Sequence, residues 1–81
     1  MPHNDERAPQ ALGDAVRRLR LGKCLTQQEL ANRLAVPQSR VSNIESARRR
    51  LGVLEALELC HAMDCTLDDL ITEYLKEMNA A

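Results

Sequence analysis

The chain has no Trp and no Phe, and Tyr74 is its only aromatic residue. Its core must therefore be built from Leu, Val, Ile, Ala and Met. Runs of β-branched residues are absent as well, which argues against strands and for helices. Three cysteines, Cys24, Cys60 and Cys65, are too few and odd in number for a disulfide framework. No apolar run is long enough for a signal segment or a membrane span, so the reduced cytoplasm is the expected home. No nucleophile–base pair, metal-ligand spacing or phosphate-cradling glycine loop occurs. The expectation is a protein that is not an enzyme and uses no cofactor and no metal.

What is present is a single small domain of 81 residues. At this size folding buries only about 60% of the surface of the unfolded chain. The net charge of −1 conceals a split. Residues 1–50 carry ten of the eleven basic residues against five acids, a balance of +5. Residues 51–81 carry Lys76 alone against seven acids, a balance of −6. The basic half can face a polyanion while the acidic half faces away.

The start, MPHNDERAPQ, has two prolines and no apolar periodicity, and residues 1–10 are read as a flexible arm. Residues 11–81 form the folded domain. A first helix is expected over about 11–22, with Leu12, Val16 and Leu19 on one face and Gly22 as its stop. Thr26 and Glu29 have the S/T-x-x-E spacing of a capping box and start a second helix, which buries Leu30, Ala31 and Leu34. Pro37 opens a third, ending near Ser46. A fourth spans about 53–63. The fifth is capped by Thr66, with Asp68 and Asp69 at its positive end, and runs to about residue 79. The fold class is all-α, a compact five-helix bundle.

The second and third helices are joined through about residues 35–36, too short a link for antiparallel packing. They must cross steeply, which makes them a helix-turn-helix unit. Ala31 lets the third helix approach, and Val41 and Ile44 pin it to the core. Gln38, Ser39, Ser42 and Asn43 then project outward. Short neutral amides and hydroxyls on an exposed helix match base edges in the major groove. Gln and Asn pair a donor with an acceptor, as the edge of adenine requires. Arg40 can reach guanine or phosphate.

The stretch LTQQELANRLAVPQSRVSNIESARRR resembles the phage-repressor (Cro-like) class, the xenobiotic-response-element family of bacterial regulators. Shared features are a Thr-Gln-x-x-Leu-Ala opening, a turn, and a recognition helix ending Ile-Glu. The likeness covers roughly residues 12–71 and implies a lambda-repressor-like DNA-binding fold. It implies that Gln38, Ser39 and Asn43 touch base edges with Arg40 beside them. Gln27, Ser42, Arg48 and Arg49 would meet the phosphate backbone, Gln27 through its amide and main chain. It also sets Arg20 against Glu45 as a structural salt bridge, since an unpaired acid on a DNA-facing helix would repel phosphate. Ala35 and Ala47 stand where the family often has glycine.

Cys60, Cys65 and His61 look faintly like a metal cluster, but the two cysteines read better as buried structural residues and Cys24 as an exposed one. The apolar stripe of the fifth helix continues through Ile71, Tyr74, Leu75 and Met78. A domain this small is expected to have no further core for them, so they are assigned to a homodimer interface, with the segment 66–79 as the dimerisation helix. The expected function is that of a sequence-specific transcription regulator, binding double-stranded DNA as a dimer on a near-palindromic operator. It would be of the restriction–modification controller or the antitoxin type. The rival reading is a protein-interaction module of the same fold, acting on a partner such as a toxin.

Overall fold

The computed structural model describes residues 5–80. They form five helices: α1 (Ala8–Gly22), α2 (Gln27–Leu34), α3 (Gln38–Glu45), α4 (Val53–Ala62) and α5 (Leu67–Asn79). No strand occurs among the described residues. No helix of these residues is long and apolar enough to cross a membrane.

The starts of α2 and α5 follow from their capping chemistry. Thr26 Oγ1 accepts the Glu29 N–H while the Glu29 carboxylate accepts the Thr26 N–H, at 3.0 and 2.8 Å. Thr66 and Asp69 repeat the arrangement at 3.1 and 2.9 Å. Accepting the threonine N–H holds each carboxyl below its ordinary value. Both boxes therefore lose their contribution only as pH falls below the usual carboxylate range. Pro37 is the N-cap of α3 rather than its first residue.

The expected end of α1 at Gly22 holds, and the expectation at its start is corrected. The helix begins at Ala8, so residues 8–10 are not part of an arm; residues 5–7 lead into it through a turn, and residues 1–4 lie outside the described residues. Pro9 sits in the first turn, where its missing N–H costs nothing. Arg7 ties this turn down by donating to the Met78 carbonyl at 3.2 Å. At the other end Gly22 is the last helical residue. The reversal is made by Cys24, at φ 58°.

Cys24 belongs to a pattern. Non-glycine residues with φ of 58°, 57°, 63° and 54° follow α1, α2, α3 and α4: Cys24, Ala35, Ala47 and Asp64. Each is spanned by the same six-residue hydrogen bond, from Leu25, Val36, Arg48 and Cys65 to the carbonyls of Arg20, Ala31, Asn43 and Cys60. This is the Schellman closure, and its left-handed residue is usually glycine. Leu25, Val36 and Cys65 pack into or against the core. Arg48, in the same place after α3, is exposed.

The core is centred on Val16, Leu30, Val41, Leu59 and Met63, all fully buried. Ala31, fully buried, lets α3 close on α2. Gly13 does the same for α1, because a Cβ there would meet the Glu45 carbonyl oxygen at 2.5 Å. The last helix packs chiefly along α1. Cys60 is buried and Cys65 half-buried, and burial pushes the Cys60 thiol up to about 12 and raises Cys65 as well. Thiols so shifted are poor nucleophiles.

The positive φ angles predict the response to glycine. A left-handed conformation costs an alanine about 1–2 kcal/mol, while glycine adds about 0.4–1 kcal/mol of unfolded-state entropy. Ala35→Gly and Ala47→Gly are each expected to stabilise the fold by about 0.5–1 kcal/mol in a urea melt. Gly22→Ala, at a position with no positive φ and open space around its Cβ, is expected to stabilise rather than destabilise.

Candidate nucleic-acid interface

Val41 and Ile44 bury the inner side of α3, leaving Gln38 and Ser39 exposed and Arg40, Ser42 and Asn43 half-buried at its margin. What fixes the helix is the ion pair expected at its end. Arg20 Nε and Nη2 donate to the two oxygens of Glu45 at 2.6 and 3.0 Å, and both residues are only 6% exposed. The third guanidinium nitrogen donates to the Leu25 carbonyl at 2.7 Å. The two planar groups are paired in the bidentate way that gives such contacts their directionality.

Glu45 carries the order outward. Its Oε1 also accepts from Gln27 Nε2 at 3.0 Å, and Gln27 Oε1 accepts from Gln38 Nε2 at 3.0 Å. A carboxylate only accepts, so Gln27 must turn its NH₂ towards Glu45 and its oxygen towards Gln38. Gln38 must then offer its NH₂ to Gln27. Its carbonyl oxygen and one remaining N–H are left for the exterior, in a known orientation. The sequence reading gave Gln27 to phosphate; in the structure its side chain first links the core ion pair to α3.

A second group converges beside this one. Ser39, Arg40, Asn43, Arg48, Arg49 and Arg50, with Pro37, line a polar cleft of ≈ 500 Å³. Gln38 and Ser42 do not line it. Arg48 and Arg50 are exposed and make no ion pair or side-chain hydrogen bond among the described residues. Arg40 and Arg49 share a partner that sequence reasoning missed: Glu55, in the first turn of α4, whose Oε2 lies 3.2 Å from Arg40 Nη1 and 3.2 Å from Arg49 Nε. The only signal in the sequence was an acid five residues beyond an arginine run, which is too common to read.

The expected interface residues divide. Tyr74 is half-buried and packs against the core of its own chain, and Met78 is half-buried with its carbonyl bound by Arg7. The premise that the domain has no further core for them is corrected: α1 provides it, with an Arg18–Glu77 ion pair alongside. Ile71 and Leu75 remain exposed. They are joined by residues of α4 that had not been singled out: Val53 at 72% and Leu54 at 78% exposed, and Leu57. Val53 and Ile71 line one apolar cleft of ≈ 440 Å³ together with Leu12, Leu51 and Tyr74. Among the described residues no group of three or more His, Cys, Asp or Glu could hold a metal ion.

Residues 16–70 match the helix-turn-helix family. Solved structures share the whole architecture. The clp gene regulator ClgR from C. glutamicum is 27% identical with a TM-score of 0.85, each chain covered in full. An XRE-family like protein from Pseudomonas syringae pv. tomato is 36% identical over 91% of this chain and 89% of its own, with a TM-score of 0.76. The restriction–modification controller protein C.AhdI from Aeromonas hydrophila is 27% identical over 82% and 98%, with a TM-score of 0.72. No curated protein matches.

The geometry at Glu45 makes a stability prediction. Glu45→Ala leaves the buried Arg20 guanidinium without its counter-ion and is expected to cost about 3–5 kcal/mol, against about 0–1 kcal/mol for an exposed pair. A urea titration measures the loss. Wild-type stability in the variant would mean that the pair does not hold α1 to α3.

Proposed function

Because the chain belongs to the XRE/Cro-like helix-turn-helix family of DNA-binding transcription regulators, we propose that it controls transcription by laying α3 in the major groove of an operator. It does so as a homodimer on a near-palindromic site, in the cytoplasm. The observation that carries the reading is the Gln27–Gln38 pair. With one N–H committed to Gln27, Gln38 faces the exterior as one acceptor beside one donor, the complement of adenine N6 and N7. Ser39 and Asn43 reach neighbouring base edges, with Arg40 beside them. Arg48 and Arg49, Ser42, and the main-chain N–H of Gln27 at the start of α2 engage the phosphates that flank the groove.

One recognition helix reads too few base pairs for useful selectivity, so the second copy is part of the function. Leu54 projects beside the cleft lined by Val53 and Ile71, which gives one face both a ridge and a groove, as a two-fold interface requires. Ile71 and Leu75 extend it; Tyr74 and Met78 contribute only their exposed edges. Symmetry then sets the two copies of α3 about 34 Å apart, one turn of DNA. The likeness to C.AhdI supports the controller type over the antitoxin type.

Reading and holding are separable by mutation. Gln38→Ala is expected to weaken binding to the preferred duplex by about 1–3 kcal/mol and relax one position per half-site. Arg48→Ala is expected to weaken all duplexes alike and to reduce the slope of log affinity against log salt by about 0.9 per lost phosphate contact. Fluorescence anisotropy across a salt series checks both. Equal losses on every sequence for Gln38→Ala would remove α3 from the groove. Absence of any duplex binding at low salt would favour a protein-interaction module.

Assembly has its own test in sedimentation equilibrium. Wild type is expected to dimerise with a Kd no weaker than tens of micromolar, on the order of 6 kcal/mol. Leu54→Glu and Leu75→Glu, each on an exposed side chain, are expected to be folded monomers. A wild type that stays monomeric at that concentration would leave DNA as the only organiser of pairs.

A further inference from the structure

Among the described residues, Glu55 is the acid paired with arginines that line the basic cleft. Its carboxylate lies in the first turn of α4, where unpaired helix N–H groups favour negative charge. Two cations from different elements converge on its Oε2, Arg40 from α3 and Arg49 from the loop before α4, both at 3.2 Å. Arg49 also reaches Oε1 at 3.4 Å. The Glu55 side chain is 20% exposed, against 38% and 44% for the two arginines. Two guanidinium groups gathered on one anionic oxygen at the rim of a cleft is the arrangement a phosphate oxygen would itself induce. Here the protein supplies the anion.

We propose that Glu55 competes with DNA phosphate for Arg40 and Arg49, holding both away from the phosphates of arbitrary DNA and releasing them only when α3 is fully seated on its bases. The inference rests on the DNA-binding reading above. Transfer of either arginine to phosphate breaks an ion pair and leaves a carboxylate facing a polyanion. A loosely placed duplex offers no return for that, so both cations stay on Glu55 and only Arg48, Arg50 and main-chain groups engage. A duplex whose bases draw α3 into the groove brings phosphates into the geometry of the cleft, and the exchange becomes favourable. The two complexes then differ in the number of phosphates they engage, and Glu55 lowers the affinity of the protein for DNA of either kind.

The test compares two probes, the best duplex from a selection on randomised DNA and a scrambled duplex of the same length. Both are titrated with wild type, Glu55→Gln and Glu58→Gln across a salt series. Glu58, exposed on the same helix, has no ion pair among the described residues, so its variant removes an equal charge without freeing an arginine. Glu55→Gln is expected to bind the scrambled duplex about tenfold tighter, with a salt slope steeper by roughly one to two per subunit, at about 0.9 per recovered phosphate contact. Its affinity for the selected duplex is expected to rise at least as much, because that complex no longer bears the cost of breaking the ion pairs. The salt slope there is expected to stay as in wild type. Glu58→Gln is expected to leave both slopes unchanged. A second variant reads the same device without touching Glu55: Arg49→Ala is expected to weaken the selected complex and leave the scrambled slope unaltered. An unchanged scrambled slope in Glu55→Gln, or a slope that steepens equally on both duplexes, would overturn the inference while leaving the DNA-binding reading intact. No wild-type binding to either duplex would overturn both.

Discussion

Arg20 and Glu45 lie on different helices, 25 residues apart in sequence, and are almost wholly shut off from water. Desolvating two charges is expensive, and their attraction repays it only when every remaining donor and acceptor is used. Here they are: Arg20 gives its third nitrogen to Leu25, and Glu45 takes an extra N–H from Gln27. No buried side-chain polar atom among the described residues lacks a partner. The pair thus joins α1, the turn before α2, α2 itself and the end of α3. Hydrophobic burial alone would hold α3 against the core with some freedom to rotate or slide. A bidentate pair at its last turn removes that freedom.

From that fixed point the outer surface follows by donor–acceptor logic. Glu45 decides which way the Gln27 amide faces, and Gln27 decides which way Gln38 faces. An isolated exposed glutamine would lose rotamer entropy on meeting a base and could present either end of its amide. Gln38 enters with its orientation already chosen. The connection from core charge to outward-facing amide is four side chains long, Arg20, Glu45, Gln27 and Gln38, and its first member is the buried charge of α1.

The helices, the Thr26–Glu29 capping box and the Arg20–Glu45 pair were legible because each depends on local pattern or on a familiar motif. Thr26 and Glu29 announce a helix start without reference to anything distant. Gly13 was not legible: its reason is a carbonyl of residue 45 lying where its Cβ would be, a long-range fact with no local mark. The packing of Tyr74 within its own chain was not legible, because a stripe that continues past the expected domain end does not say which surface it meets. The long α1, beginning at Ala8, supplied that surface. Glu55 was invisible for the same reason. Nothing in an acidic residue reveals that two arginines from other segments will close on it.

The four left-handed closures connect this local grammar to the interface. After α1, α2 and α4 the residue beyond the left-handed position is Leu25, Val36 or Cys65, and each is spent on the core, as the motif favours. After α3 the same position holds Arg48, exposed beside the polar cleft. The backbone geometry is unchanged, so an arginine here forgoes apolar burial and gives the cleft a cation whose main chain is fixed by the hydrogen bond from its own N–H to the Asn43 carbonyl, at 2.8 Å. Departures of this kind from an otherwise consistent pattern mark places where a sequence serves something besides stability. Arg48 and Glu55 make a complementary pair of such departures on one rim. One leaves a charge free where packing would have hidden it, and the other confines two charges where solvent would have left them free.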